Sequence, residues 1–220
     1  MEKKDFLDEK IIRMLDQVDK PTEKIVVPET EQTEADLSNS EPSPEYTIYT
    51  GLKIKGQWFD FKERIFLDGK VAMTVPIEFT PMDIATAKIK YPSEQRPQTI
   101  LTDDTGAINI MFSYMEDPMK NEEAEEVRDT LIGIMCRVNP GIKPRENGME
   151  VISEKNIAYV EYSNPVMDGK LYNLMYFVEV HGNLLMGCFN CVTRNAKYWK
   201  PIFMEMMRSI QILSSLESEE

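Results

Sequence analysis

The ten residues Leu171 to Val180 constrain this chain more than any other segment. They read as a strand that is apolar on both of its faces. Successive side chains of a strand point to opposite sides of the sheet, so such a strand needs cover on both sides. His181-Gly182 follows as a turn, and Leu184 to Thr193 reads as the returning strand. A tight hairpin pairs its strands antiparallel. An antiparallel sheet covered twice calls for helices in two outer layers.

The neighbouring segments supply the missing parts. Thr47 to Lys55, Trp58 to Lys62 and Val71 to Val75 read as strands, the last two joined through Asp68-Gly69. A short helix is expected over Met82 to Lys88. Thr99 to Thr102 and Ala107 to Met115 form a hairpin turning at Asp103 to Gly106. In its second strand Ile108, Ile110, Phe112 and Tyr114 alternate with Asn109, Met111 and Ser113. Residues 121–137 form the clearest helix. Asn121 suits its N-cap, and Glu122, Glu123, Glu125 and Glu126 crowd the end where the dipole favours anions. Val127, Leu131, Ile134 and Met135 make its buried stripe, and Asn139-Pro140-Gly141 ends it. Glu150 to Ser153 and Ile157 to Tyr162 are strands leading to the turn at Asp168-Gly169. The last helix runs from Tyr198 to Gln211, with Trp199, Ile202, Phe203, Met206, Met207 and Ile210 facing inward and Pro201 near its first turn. The expected fold class is α+β, an antiparallel six- to seven-stranded sheet sandwiched between helices and filling residues 46–213. An acidic tail follows over 214–220.

The first fifth of the chain differs in kind. Residues 5–19 fit an amphipathic helix in which Leu7, Ile11, Met14 and Val18 form the apolar stripe, with Ile12 and Leu15 beside it. Asp5 suits its N-cap and Pro21 stops it. An isolated helix of this length is marginal in water, so the stripe must pack on the main domain, a second copy or another protein. Residues 21–45 are rich in Glu, Ser, Thr and Pro and read as an acidic flexible linker. Ile25-Val26-Val27 is the exception, a possible short strand or docking motif.

Charge narrows the choice of partners. Of a net charge of −13, residues 1–46 carry −7 and the remainder −6. This balance argues against nucleic acid and against anionic membrane surfaces, both of which need a cationic face. No apolar run approaches the ~20 residues that span a bilayer. The N-terminal residues do not read as a secretory signal, since no uninterrupted apolar stretch follows the early Lys pair, and three cysteines leave an odd count. A cytoplasmic, reduced protein is the expectation.

The residues with chemical potential read first as structure. Cys188-Phe189-Asn190-Cys191 is a C-x-x-C, but redox pairs of this spacing sit at helix N-termini, and this one lies in a strand. Residues three apart on a strand face opposite ways, which separates the sulfurs. His181, the only histidine, sits in a turn. The acidic run at 122–126 lacks the alternating oxygens of a calcium loop, and no phosphate-binding glycine motif occurs. No cofactor or metal is expected. Tyr46, Tyr49, Trp58 and Phe59 cluster where the linker meets the domain and form a candidate protein-docking patch if exposed.

Gly69-Lys70-Val71-Ala72-Met73-Thr74-Val75-Pro76, Tyr91-Pro92-Ser93-Glu94-Gln95-Arg96-Pro97-Gln98 and the stretch Asp168 to Ile212 carry a resemblance. The last of these includes Gly187-Cys188-Phe189-Asn190-Cys191 and Tyr198-Trp199-Lys200-Pro201-Ile202. In this order they resemble bacterial members of the PsbP-like superfamily, which takes in the extrinsic PsbP protein of photosystem II and the yeast Ran-binding nuclear import factor. The resemblance covers about residues 47–213. It implies an antiparallel sheet between helices and a non-catalytic role in binding proteins. Some bacterial relatives look like chaperones for secreted effectors. The expected function is thus a protein-binding or adaptor-like module with a protein partner, self-association through the N-terminal helix being open. A small-molecule or lipid carrier is the alternative. An enzyme would require two carboxylates converging in a pocket.

Overall fold

The computed structural model describes residues 47–94, 96–166 and 169–214. The expected N-terminal helix, the linker, the tail from residue 215 and Asp168 lie outside the described residues.

Three sheets form. The principal one has seven antiparallel strands: β5 (Thr80–Pro81), β6 (Thr99–Thr102), β7 (Ile108–Pro118), β8 (Lys143–Ile152), β9 (Lys155–Val166), β10 (Gly169–Val180) and β11 (Asn183–Val192). Their order across the sheet is β5-β6-β7-β11-β10-β9-β8. β10 therefore lies between β11 and β9, and its two-faced apolar pattern is used on both sides. Tyr172, Leu174, Tyr176, Val178 and Val180 enter one core, and Met175 and Phe177 enter the other.

Helices α1 (Ile84–Lys90) and α2 (Ala124–Val138) cover one face; α3 (Ala196–Arg208) covers the opposite one. The α2 stripe of Val127, Leu131, Ile134 and Met135 is buried against Val160, Tyr162 and Phe177. On the α3 side Phe203 stacks on Phe189 and Tyr172, with ring centroids 5.1 and 6.5 Å apart. Each such side chain, fully buried, contributes roughly 1.5–3 kcal/mol. Pro201 sits inside α3, beyond its first turn.

The N-terminal strands depart from expectation. They join the α3 side as separate sheets rather than adding to the principal one. Thr47 to Thr50 is a turn, because threonine hydroxyls compete for its amides: Thr47 N donates to Thr50 Oγ1 (3.0 Å) and Tyr49 N to Thr47 Oγ1 (3.2 Å). Only β1 (Leu52–Ile54) remains extended, and it pairs with β2 (Gln57–Phe59). Asp60 breaks the expected Trp58–Lys62 strand, and β3 (Phe61–Phe66) begins afresh. β3 pairs with the wholly buried β4 (Val71–Pro76), which also pairs with β12 (Gln211–Ile212).

Two helix termini are also corrected. The last helix starts two residues earlier than expected and stops at Arg208, because Ile210 to Ile212 turns to meet β4. Asn121 does not cap the long helix. It opens a 3-10 turn in which the Lys120 amide donates to Glu123 Oε2 (2.9 Å). Asn121 Oδ1 instead accepts from Asn156 N (2.8 Å), which ties this turn to β9.

Arg208, in the last turn of α3, grips Glu150 of β8 with two parallel bonds, Nε to Oε2 (2.7 Å) and Nη2 to Oε1 (2.6 Å). Hydrogen bonding to Arg208 holds the Glu150 carboxyl below its ordinary range. A carboxyl depressed by folding adds stability above its unfolded pKa, lost as pH falls through the folded value. Stability measured by urea unfolding should therefore fall on acidification below about pH 4.5. Glu150→Gln should flatten that part of the profile, and an unchanged acid slope in the variant would exclude Glu150 as its source.

Candidate functional site

The β1–β2 hairpin packs on α3 through its inward side chains. Ile54 and Phe59 are core residues, and Phe59 meets Trp199 edge-on at 5.4 Å. Phe59 is thus removed from the expected docking patch: the two-residue turn at Lys55-Gly56 sets a register that points it inward. Tyr49 and Trp58 are at the surface, 72% and 46% exposed. Leu7, Ile11, Met14, Val18 and Tyr46 lie outside the described residues.

Trp58 is positioned from two sides. Its Nε1 donates to Asp60 Oδ1 (2.9 Å), and its ring lies over Gly51, where a Cβ would come within 2.6 Å of Cζ2. Gly51 also needs its positive φ of 76°. A third aromatic joins this end of the molecule. Tyr198, at the start of α3, is 37% exposed and lies under Lys197 and Lys55, whose ammonium groups are 4.9 and 5.9 Å from its ring centroid. Lys55 also donates to Asn195 Oδ1 (3.2 Å). Exposed Lys53, opposite Trp58 in the hairpin, and Arg194, just before α3, extend the positive charge. Sequence reasoning missed Tyr198 and this rim. Alternation could place Lys53 outward, but only the fold brings Lys55 beside Asn195 and Tyr198.

The C-x-x-C cysteines stand on opposite faces. Cys191 is buried in the α3-side core, and Cys188 packs on the α1/α2 side near Met111 and Tyr162. Burial pushes both thiols up to about 12, the reverse of an activated cysteine. His181 has the left-handed φ of 50° expected in its turn, and its Nε2 bonds the Leu213 carbonyl (2.7 Å). Among the described residues no group of three or more His, Cys, Asp or Glu could hold a metal ion. No described helix is long and apolar enough to cross a membrane.

Two carboxylates do converge. Lys200 of α3 lies 2.9 Å from Glu161 of β9 and 2.9 Å from Glu146 of β8. The register shift between Pro144 and Asn147 locates Glu146 in a bulge. Glu161 is almost wholly buried, and hydrogen bonding to Glu146 raises the Lys200 pKa. A glycosidase-type pair needs one carboxyl kept protonated beside an ionised partner. Here one ammonium bridges the two carboxylates, so the trio suits a clamp that ties α3 to β8 and β9.

The α1/α2 face holds a buried polar row. Asn173, Asn190 and Asn109 are consecutive partners across β10, β11 and β7. Asn109 Nδ2 donates to Asn190 Oδ1 (2.8 Å), and Asn173 Nδ2 to Asn164 Oδ1 (2.8 Å). The Tyr91 hydroxyl, its pKa raised by burial, lies against Asn190. Amides do not titrate near neutrality. The row's chemical effect is to fix strand register, because a one-residue slip would carry the amides to the other face.

No known family signature and no curated protein matches the sequence. Among solved structures, cyanobacterial PsbP (CyanoP) from Synechocystis sp. PCC 6803 superposes with a TM-score of 0.54 at 13% identity, over 69% of this chain and 92% of that one. The chain has the PsbP-like fold. LpqN of Mycobacterium tuberculosis, involved in cell envelope biogenesis, is similar at a TM-score of 0.47 and 12% identity, over 78% of this chain and all of that one.

Proposed function

We propose that the chain is a non-catalytic protein-binding, adaptor-like module. Its partner docks on the surface made by Tyr49, Trp58 and Tyr198 and their cationic surround. The observation that carries this is the set of three exposed aromatics at one end of the molecule, with Trp58 held by Asp60 and Gly51 on a hairpin whose Phe59 packs on α3. Tyrosine and tryptophan give large contact area at small entropic cost, and rigid presentation lowers the cost of binding further. The resemblance implied a binding role for this fold, and the buried, high-pKa thiols suit a scaffold. Three free cysteines favour a reducing compartment, and we place the protein in the cytoplasm. The apolar stripe Leu7, Ile11, Met14 and Val18 is read as a second contact, for self-association or for the same partner. The α3 face, filled by Trp199, Phe203 and Met206, gives a carrier reading no support.

Affinity capture from native lysate tests the proposal. Trp58→Ala with Tyr198→Ala should reduce recovery of the partner at least tenfold, since each docked anchor contributes ~1–2 kcal/mol or more. Unfolding midpoints should stay close to those of the native chain. Full recovery by the folded double variant would exclude this surface.

A further inference from the structure

Lys53, Lys55, Arg194 and Lys197 form no salt bridge with any described residue, while Lys200 and Arg208 on the same helix are both paired. Four cations without a salt-bridge partner among the described residues, against the single carboxylate of Asp60 beside Trp58, stand out on a chain of net charge −13. The described residues begin at Thr47, four positions before the glycine that supports Trp58. Immediately upstream, residues 29–45 contain Glu29, Glu31, Glu34, Asp36, Glu41 and Glu45 and no basic residue.

We infer that the cationic–aromatic surface recognises acidic peptide, and that its resident occupant is the chain's own stretch 29–45. This rests on the reading of that surface as a docking site. The chemistry is matched on both sides: ammonium and guanidinium groups for carboxylates, and the faces of Trp58 and Tyr198 for the intervening Leu37 and prolines. A short tether supplies an effective concentration on the order of millimolar, so modest intrinsic affinity fills the site. The same tether makes the stretch a competitor for any external partner, which must itself present acidic peptide. Attraction between surface charges falls with ionic strength, the screening length dropping from about 10 Å at 0.1 M salt to about 3 Å at 1 M.

The full chain is compared with a full chain carrying Glu29→Gln, Glu31→Gln, Glu34→Gln, Asp36→Asn, Glu41→Gln and Glu45→Gln. Acrylamide quenching of Trp58 is isolated by subtracting the signal of Trp58→Phe, which retains only buried Trp199. The native chain at low salt should show at most half the Trp58 quenching of the neutralised chain, and high salt should close the gap. Equal quenching of the two at low salt overturns the inference. Protection that rises with protein concentration places the stretch on another copy and overturns the intramolecular assignment. In a second arm, labelled peptide 29–45 should bind the neutralised chain about tenfold more tightly than the native one. That binding should be lost with Lys53→Glu, Lys55→Glu and Lys197→Glu. Peptide affinity indifferent to these reversals also overturns the inference. Partner capture that depends on Trp58 while quenching is unchanged sinks the occupant and leaves the docking surface. Salt-sensitive protection with capture indifferent to Trp58 does the opposite.

Discussion

Gly187→Ala is expected to cost about 3 kcal/mol of stability, at the upper end for overpacking. In a domain of this size that lowers Tm by about 6–12 °C. Gly187 lies in β11, near the centre of the sheet, directly opposite Tyr176 of β10. The Tyr176 ring lies across it so closely that a Cβ would sit 1.9 Å from Cζ and 2.2 Å from the hydroxyl oxygen. Tyr176 has no route of escape. It is fully buried, tilted against Phe189 at 5.5 Å, and its hydroxyl has no partner among the described residues. The clash is pairwise, so Tyr176→Leu should make Gly187→Ala much cheaper than it is alone. Thermal and urea unfolding of the four proteins in this cycle measures the coupling. A Gly187→Ala chain within about 0.5 kcal/mol of native would show that the strands move apart at little cost.

Lys200→Met is expected to destabilise the domain by about 3 kcal/mol, because it strands the buried Glu161 carboxylate without a counter-charge. The figure is at the low end of the range because Lys200 is 36% exposed, and water shares its charge. Adding Glu161→Leu to Lys200→Met should recover most of the loss, since an apolar pair of similar volume replaces a buried ion pair at little or no cost. Glu146 is 74% exposed, and its removal alone should be nearly neutral. The alkaline limb gives an independent check. Hydrogen bonding to Glu146, with Glu161 contributing, raises the Lys200 pKa. Its stabilisation is complete below the unfolded lysine value of about 10.4 and is lost as pH rises through the folded value. The Lys200→Met chain should lack that part of the alkaline decline. A single variant as stable as the native chain would mean that Glu161 is solvated despite its burial.

What the sequence disclosed and what it concealed follow one physical divide. Segments whose own pattern decides their environment were legible. The two-faced run at 171–180 requires cover on both sides, and the stripe of α2 buries the four residues its spacing names. The strand placement of the C-x-x-C pair was enough to separate its sulfurs. The N-terminal strands were misjudged because partner choice is not local. β3 and β4 are strands, yet they pair with each other and, through β4, with β12 to form their own small sheet. The site divided in the same way. Tyr49 and Trp58 were readable as surface aromatics, but Phe59 turned inward once the Lys55-Gly56 turn fixed the register. Tyr198, Lys200 with its two carboxylates, and the asparagine row are juxtapositions of distant segments. No periodicity within one segment reports them.

The pairing of β12 with β4 also gives the molecule a history. Ala72 leaves the ribosome long before Gln211, its partner, by on the order of ten seconds at common rates of translation. Through that interval one edge of β4 offers its backbone amides and carbonyls to any passing strand. The nascent protein is open to mispairing at this edge until Gln211 and Ile212 seal it. A message cut short after Arg208 would therefore yield a chain with every helix described here and an unguarded sheet.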